Sequence, residues 1–527
     1  MSEQDKSYLC YDLRAIQSYI FRVPKLKYIV GGSALVDRFD RETVPGLIKS
    51  TGAALVYAAG GKGAVRCANS AQTSAVEIAL RKEAARLGLD IRFGRDADFS
   101  AAAHASDRLY PFVPDLSEGH PCELSGLYPV AGGPSGGVHP TIKARIFDKG
   151  SPVFKHFETR LRAQQLDVGP GLAGRSMRFL NNIEPDDSEG RAGLASLGRN
   201  RWAIICMDGN DMGSQFREAS KLAPAALEQW IVQMSKALDA CAVSAARAGI
   251  ERVVRLWSKD RDNSHIDACA VDGEIVVPIR PLVVGGDDIV VICHPSYAFD
   301  FVEAATEAWS HASTEQAASF GNSDGLGLWP ATGGKLSISA GVLFCPASLP
   351  IHTAVPYAET LLASAKHLGR SRPRAKAPAP SSIDWESIVE SVIDTPAARR
   401  ARELRFQDGD ALKGATGSIV ELTQRPYGID ELAELREQAE LLKSIPRSIR
   451  NDILPSLRQG RFDRSLFRMR VAKNHSELSE LLDESGGGES SWKLSGNTLS
   501  TWLPDALSLL EESDRHHSLT SEEATHA

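Results

Sequence analysis

The chain has 527 residues, 43% hydrophobic and 24% charged, and a formal net charge of −7. That length suits roughly three domains, and the acidic balance excludes a surface coated in basic residues while leaving room for local basic patches. Its eight cysteines stand singly without a CxxC pair, no uncharged apolar stretch is long enough to span a membrane, and the start MSEQDKSYLCYDLR has no basic-then-apolar leader. A soluble protein of a reducing cytoplasm is expected, without a disulfide framework.

In chain order, SYLCYDLRAIQSYIF reads as a strand running into a helix, and KLKYIVGGSALVDRF continues as helix. ALVYAAGGKGAVRCA is strand, broken by a double glycine, and AVEIALRKEAARLGL has helical periodicity. Residues 113–150 are rich in Pro and Gly and read as an irregular insert, followed by a short helical region at 151–166. A second unit opens with NRWAIICMDGNDMGSQF, again strand, turn and helix. It continues through the helix LEQWIVQMSKALDACAVSAARAG, the strand-turn-strand PLVVGGDDIVVIC, a helix over 298–318, the strand GKLSISAGVLFC and the helix AVPYAETLLASAKHL. The Pro-rich linker GRSRPRAKAPAPSS then leads to a mostly helical region with a break at ESGGGESS and a polar, mobile tail.

Two segments repeat one another. LCYDLRAIQSYIF and IICMDGNDMGSQF share an apolar strand, a Cys two residues before an Asp, and a helix start ending in Phe. Downstream, AAGGKGAV matches VVGGDDIV. The order strand-Asp-helix, then strand-GlyGly-strand, is a degenerate internal repeat, and two α+β units of β-α-β-β-α-β type account for its spacing. Aligning the double glycines sets Lys62-Gly63 against Asp287-Asp288.

Asp287 and Asp288 are adjacent like charges between β-branched runs. Taken alone, a hairpin tip is the readier explanation of Gly and Asp at a tight turn; a metal site is the sharper one. If the strand ending at Asp208 neighbours this hairpin, Asp208, Asp287 and Asp288 converge, and hard oxygen ligands on strands suit two Mg²⁺ or Mn²⁺ ions. Gly285 and Gly286 lack side chains, so a nucleotide can approach the backbone. The stretch GNDMG opens a helix whose N-terminus can hold phosphate, with Asn210 and Asp211 either capping it or touching the nucleotide. Lys366, on the helix after KLSISAGV, is placed either to reach a triphosphate or to sit on a solvated face.

The set of AIQSYIFRVPKLKYIVGGSALVDRF, GGKG, MDGNDMG, VVGGDDIVVI, KLSISAGVLF with AETLLASAK, and RPYGIDEL, in this order, resembles the large subunit of type III CRISPR effector complexes, a polymerase family with two palm domains. The resemblance implies an α+β fold: two ferredoxin-like palms, the second resembling GGDD and GGDEF domains, plus a helical C-terminal domain. The expected units are a first, degenerate palm at 1–112, an insert and connector at 113–198, a second palm at 199–370, a linker at 371–383, a helical domain at 384–510 and a mobile tail at 511–527.

The resemblance implies a nucleotidyltransferase that makes cyclic oligoadenylate messengers from ATP in antiviral defence. Asp287 and Asp288 would be catalytic, with Asp208, Asp287 and Asp288 on metal. Gly285, Gly286, Asn210, Asp211 and Lys366 would contact nucleotide, and Gly31, Gly32 and Ser33 would line the first palm's nucleotide pocket. A catalytically silent scaffold of an RNA-guided complex is the alternative. A cyclic dinucleotide synthase ranks last, because Asp288 and Ile289 replace the Glu and Phe of its signature.

Three departures from the family matter. The chain opens on the first palm and holds no His-Asp dipeptide, so no HD-type DNase activity is expected. The family's zinc-binding insert survives only as PCELSGLYPV, with Ser125 where a second cysteine would stand. A structural Cys122 and no zinc are therefore expected. Asn210 also stands in a strand motif where many relatives carry a further acid. Other expected partners are CRISPR effector subunits and guide RNA at the basic stretch from Lys443 to Lys473, whose alternative reading is a solvated helical face. A homodimer is possible and no membrane contact is expected.

Overall fold

The computed structural model describes residues 7–106, 120–122, 129–130, 139–145, 172, 175–180, 196–198, 200–271, 273–318, 320, 329, 335–371, 379–389, 394–408, 418–484 and 490–512. The helical region expected at 151–166 lies outside these residues, as do most of the insert and the chain beyond 512. Among the described residues no helix is long and apolar enough to cross a membrane, and all eight cysteines are buried thiols.

The first unit runs β1 (Ser7–Arg14), α1 (Ile16–Phe21), α2 (Leu26–Arg38), α3 (Val44–Thr51), β2 (Ala54–Ala59), β3 (Lys62–Cys67), α4 (Ser70–Leu87), β4 (Asp90–Asp96) and α5 (Phe99–Ser106). Its sheet has the order β2-β3-β1-β4, with every pair antiparallel. This is the β-α-β-β-α-β unit expected from the repeat.

The second unit runs β5 (Arg201–Gly209), α6 (Met212–Ala219), α7 (Pro224–Lys259), β6 (Ile279–Gly285), β7 (Asp288–Cys293), α8 (Ala298–Ala317), β8 (Ile338–Pro346), α9 (Ile351–Ser371) and β9 (Ser382–Ser387). Its sheet repeats the same order as β6-β7-β5-β8, then adds β9 and the short strand Tyr427–Gly428 at one edge. The expected boundary at 384 therefore falls inside β9, a strand of the palm sheet. β5 shows why the sheet forms here: Ala203, Ile205 and Met207 enter one core, and Trp202, Ile204 and Cys206 enter the other. Alternation with period two buries both faces of a central strand.

The two units are equivalent residue by residue. Cys10 pairs with Gly94 across the sheet as Cys206 pairs with Gly341. Both glycines are required by packing, since an added Cβ would meet the Ala102 carbonyl at 1.9 Å in one and the Ala358 carbonyl at 2.2 Å in the other. Ala15 and Asp211, three residues after the strand aspartates Asp12 and Asp208, are the non-glycine residues with positive φ (51° and 60°) among those described.

The units also exchange contacts: α2 packs on the edge strand β6, and α7 packs on the edge strand β2. The second helix of each unit lies against the other unit's edge strand, an approximate two-fold arrangement within one chain. Tyr8 donates to Glu228 at 2.9 Å and Arg41 pairs with Asp239 along this interface.

The C-terminal region is helical as expected and adds a sheet. Its elements are α10 (Pro396–Glu403), β10 (Arg405–Asp408), β11 (Ser418–Glu421), α11 (Ile429–Leu442), α12 (Arg447–Leu457), α13 (Arg461–Ala472), α14 (Ser476–Leu481), β12 (Trp492–Ser495), β13 (Thr498–Thr501) and a helix over 503–512. The four strands form a sheet of order β10-β11-β13-β12. Helix continues to Glu512, which is buried and pairs with Arg201 at 3.2 Å; residues 511 and 512 are thus part of the fold and not of the expected tail. A buried charge network ties this region to β9. Arg400 holds Asp384 at 2.7 and 2.9 Å, and Arg425 meets Asp505 at 3.0 Å.

Candidate active site

The ladder of the second palm brings the predicted carboxylates together. Asp208, on β5, pairs directly with Asp288 on β7, and Asp288 closes the hairpin opposite Gly285. Directly opposed residues project from the same face of a sheet, so Asp208 and Asp288 share a side. Gly286 and Asp287 form the two-residue turn, with Gly286 at φ +62°. A Cβ built at Gly285 or Gly286 meets nothing within 4 Å, so this face of the turn is open to a ligand. Gly209 N–H donates to the Asp287 carbonyl at 3.1 Å and fixes the turn on the end of β5.

Lys366 reaches the group from α9. Its Nζ donates to Asp208 and, at 2.9 Å, to the Gly209 carbonyl. Gly341 allows this reach, since α9 backbone lies against β8 where a side chain would stand. Burial, then the Asp208 carboxylate, pushes the Asp287 carboxyl up to about 7, with Lys366 opposing. Asp288 is raised well above the carboxylate range by burial, then by Asp208 and Asp287. Three acids sharing one ammonium hold more negative charge than the site neutralises, and a divalent cation relieves that excess.

A cavity of about 650 Å³ opens beside them, lined by Asp208, Asp211, Asp287, Lys366, Arg217 and Arg370 together with the backbone and side chains at the start of α6. Its lining sets three carboxylates, Asp208, Asp211 and Asp287, beside three cations, Lys366, Arg217 and Arg370. Neither Arg217 nor Arg370 was foreseen. Arg370 follows Lys366 by four residues, a legible signal because that spacing puts both on one helix face; Arg217 on α6 had no such neighbour.

Not every residue expected at this site lines the cavity: Asp288, Gly285 and Gly286 are not among its lining residues. Asp211 lines it, and one of its oxygens accepts from Ala379 N–H at 3.1 Å. Asn210 is buried, its amide donating to Ser337 Oγ at 3.0 Å and to the Pro380 carbonyl at 3.3 Å while it accepts from Ser339 at 3.0 Å. That side chain knits the sheet end to the strand β9 connection. Gly31, Gly32 and Ser33 are buried within α2, and a Cβ at Gly31 would meet the Arg145 carbonyl at 2.1 Å. The resemblance places them at the first palm's nucleotide pocket and not at this cavity, and Gly31 lets the Arg145 backbone approach α2. Cys122 is buried with Val23, Tyr28 and Ile142, and its Sγ accepts from His139 N–H at 3.3 Å.

The first palm corrects the glycine alignment. Asp12 pairs with Lys62 as Asp208 pairs with Asp288, and Ala59 pairs with Lys62 as Gly285 pairs with Asp288. Leu13 N–H donates to the Gly61 carbonyl where Gly209 donates to Asp287. Lys62 thus stands at the place of Asp288, and Gly61 at that of Asp287. The first turn spends both glycines on positive φ, at 62° and 77°, whereas the second spends one, so matching glycine to glycine slips the register by one.

Residues 201–373 match the family model described as Cas10/Cmr2, second palm domain. The second palm resembles a Cas10/Cmr2 palm. No curated protein matches the chain. Among solved structures, a Csm1–Csm4 cassette in complex with cA3 matches at 15% identity and TM-score 0.51, over 97% of this chain and 70% of that chain. The same cassette in complex with one ATP matches at 15% identity and TM-score 0.50, with the same coverage. Csm1 in T. onnurineus matches at 15% identity and TM-score 0.49, over 97% and 70%. At such identities the likeness is one of fold, and it extends over both palms and the C-terminal region.

The trio of carboxylates in the second palm is not a closed cage. Among the described residues no group of three or more His, Cys, Asp or Glu is drawn together as a ready metal site. An open set of carboxylates with lysine and arginines beside it fits Mg²⁺ or Mn²⁺, which bind through one or two carboxylates plus substrate phosphates.

Proposed function

We propose that the chain is a metal-dependent nucleotidyltransferase that joins ATP into cyclic oligonucleotides, with the chemistry in its second palm. One observation carries this reading: Asp208, paired across the ladder with Asp288, lines one cavity together with Asp287, Asp211, Lys366, Arg217 and Arg370. Two ions on these carboxylates would supply a Lewis acid and an activated hydroxyl for in-line displacement.

The chain's own residues do the rest. The N-terminus of α6 and the three cations take the triphosphate, matching charge to charge. The open backbone at Gly285 and Gly286 leaves room for the sugar. Asp12, Gly61 and Lys62 provide one carboxylate and one cation where the second palm has three acids, so the first palm does not duplicate the chemistry. Its place across the approximate two-fold suits it to present a second nucleotide. The cA3 and ATP named with the cassette structures agree with this substrate class. In the cell the chain would act with other effector subunits in antiviral defence.

The test is incubation of the purified chain with Mn²⁺ or Mg²⁺ and radiolabelled ATP, with and without RNA, resolving products by chromatography and mass spectrometry. Cyclic oligoadenylate that disappears in Asp287→Ala/Asp288→Ala supports the reading. ATP binding with no product under any condition assigns the chain to the scaffold role instead.

A further inference from the structure

Helix α13 is apolar on two opposite faces. Phe467 and Val471 are buried on the inner side with Arg464, against α12 and α14. On the other side Phe462, Leu466 and Met469 are 74%, 44% and 63% exposed. Their spacing of four and three residues places them in one stripe, about 180° from the inner one. A helix apolar on both faces is ordinarily covered on both, and three large apolar side chains in two turns form a patch of the kind that marks an interaction site.

The surrounding charge says what covers it. The arginines of this helix are largely committed within the fold: Arg464 to Glu484 at 2.5 Å, Arg468 to Asp483 at 2.7 Å and Arg470 to Asp452 at 3.1 Å. Phosphate recognition would need those guanidinium groups free, so the basic stretch from Lys443 to Lys473 does not read as an RNA track at α13. Arg458, in the turn entering the helix, and Lys473, at its end and in line with Met469, are exposed and have no ion-pair partner among the described residues. A second copy of the chain on the same stripe would set cationic helix ends against each other.

We propose that the Phe462–Leu466–Met469 stripe docks the apolar face of an acidic amphipathic helix from another protein, with glutamates or aspartates of that helix meeting Arg458 and Lys473. Aromatic and methionine side chains anchor such interfaces, and the charges at the ends set partner and orientation.

The probe is a fluorescein-labelled synthetic helix of about five turns, with leucines on one face and glutamates along its flanks. Anisotropy is measured with the full chain. Binding that weakens about tenfold in Phe462→Ser/Met469→Ser, and more modestly in Lys473→Glu, is expected, with hydrogen exchange slowed over 461–473 in the complex. Both variants change exposed side chains, and unaltered thermal melts show that the fold is kept. Equal binding by wild type and the double variant overturns the proposal. So does preference for the same peptide with lysine flanks, binding of single-stranded RNA that the double variant loses, or self-association of the chain abolished by that variant.

Discussion

Asp288 stands directly across the ladder from Asp208. At the matching rung of the first palm, Lys62 faces Asp12. Within a shared fold, Lys62 and Gly61 stand where the second palm has Asp288 and Asp287, so a cluster of carboxylates in one palm is a single carboxylate beside an ammonium in the other.

Lys366 pairs with Asp208, and under the proposed function a bound nucleotide would offer the lysine a phosphate instead. Replacing it by methionine removes that competition. Lys366→Met is expected to bind Mn²⁺ about tenfold more tightly without nucleotide, and ATP more weakly, since one nearby unit charge is lost. Calorimetric titration with Mn²⁺ alone and then with ATP reads both; unchanged metal affinity would show that the lysine does not compete.

Gly341 lets α9 lie against β8 and so sets the reach of Lys366. Gly341→Ala drives a Cβ to within 2.2 Å of the Ala358 carbonyl and 2.3 Å of Leu362 N. The helix must shift, and the variant is expected to lose stability by about 1–3 kcal/mol through overpacking. Chemical denaturation gives the stability, and ATP affinity reports the displaced lysine.

Ala15 holds φ at 51° with no glycine to relieve it. Ala15→Gly is expected to stabilise the chain by about 1 kcal/mol, because the left-handed region costs an L-residue roughly that amount. A melting temperature that falls in the variant contradicts this.

Asp40 gives stability a pH dependence. Its oxygens accept from Gly61 N–H at 2.6 Å and Tyr11 O–H at 3.0 Å, yet burial, opposed by these two bonds, pushes the carboxyl up to about 7. Between the ordinary aspartate value near 4 and about 7, the folded state holds a proton that the unfolded state has released. Stability is therefore full below pH 4 as far as this group is concerned, and declines as pH rises towards 7. Asp40→Asn should flatten that segment of a denaturation profile taken from pH 4 to 7.

The acidic end of the second palm was legible because charge is conspicuous in an apolar strand: Asp208, Asp287 and Asp288 interrupt runs of Ile and Val. The Cys–Asp spacing likewise disclosed the repeat, since Cys10 and Cys206 hold equivalent rungs. The text could not place the hairpin register, because ladder pairing and not glycine content decides which residue closes the turn. Nor could it reveal that α2 and α7 exchange edge strands, a contact between residues far apart in sequence. The C-terminal sheet escaped notice because its strands, such as Trp492–Ser495 and Thr498–Thr501, are only four residues long, too short for a period of two to stand out. Arg217 was missed for a related reason, being a lone cation on a mostly solvated helix.

The most direct measurement compares the two rungs in one assay: product formed from radiolabelled ATP and Mn²⁺ by Asp288→Asn and by Asp12→Asn, beside wild type. With the chemistry confined to the second palm, Asp288→Asn falls by at least about a hundredfold, while Asp12→Asn stays within about fivefold, a loss of about 1 kcal/mol. Equal loss in the two variants, or product retained by Asp288→Asn, would contradict it.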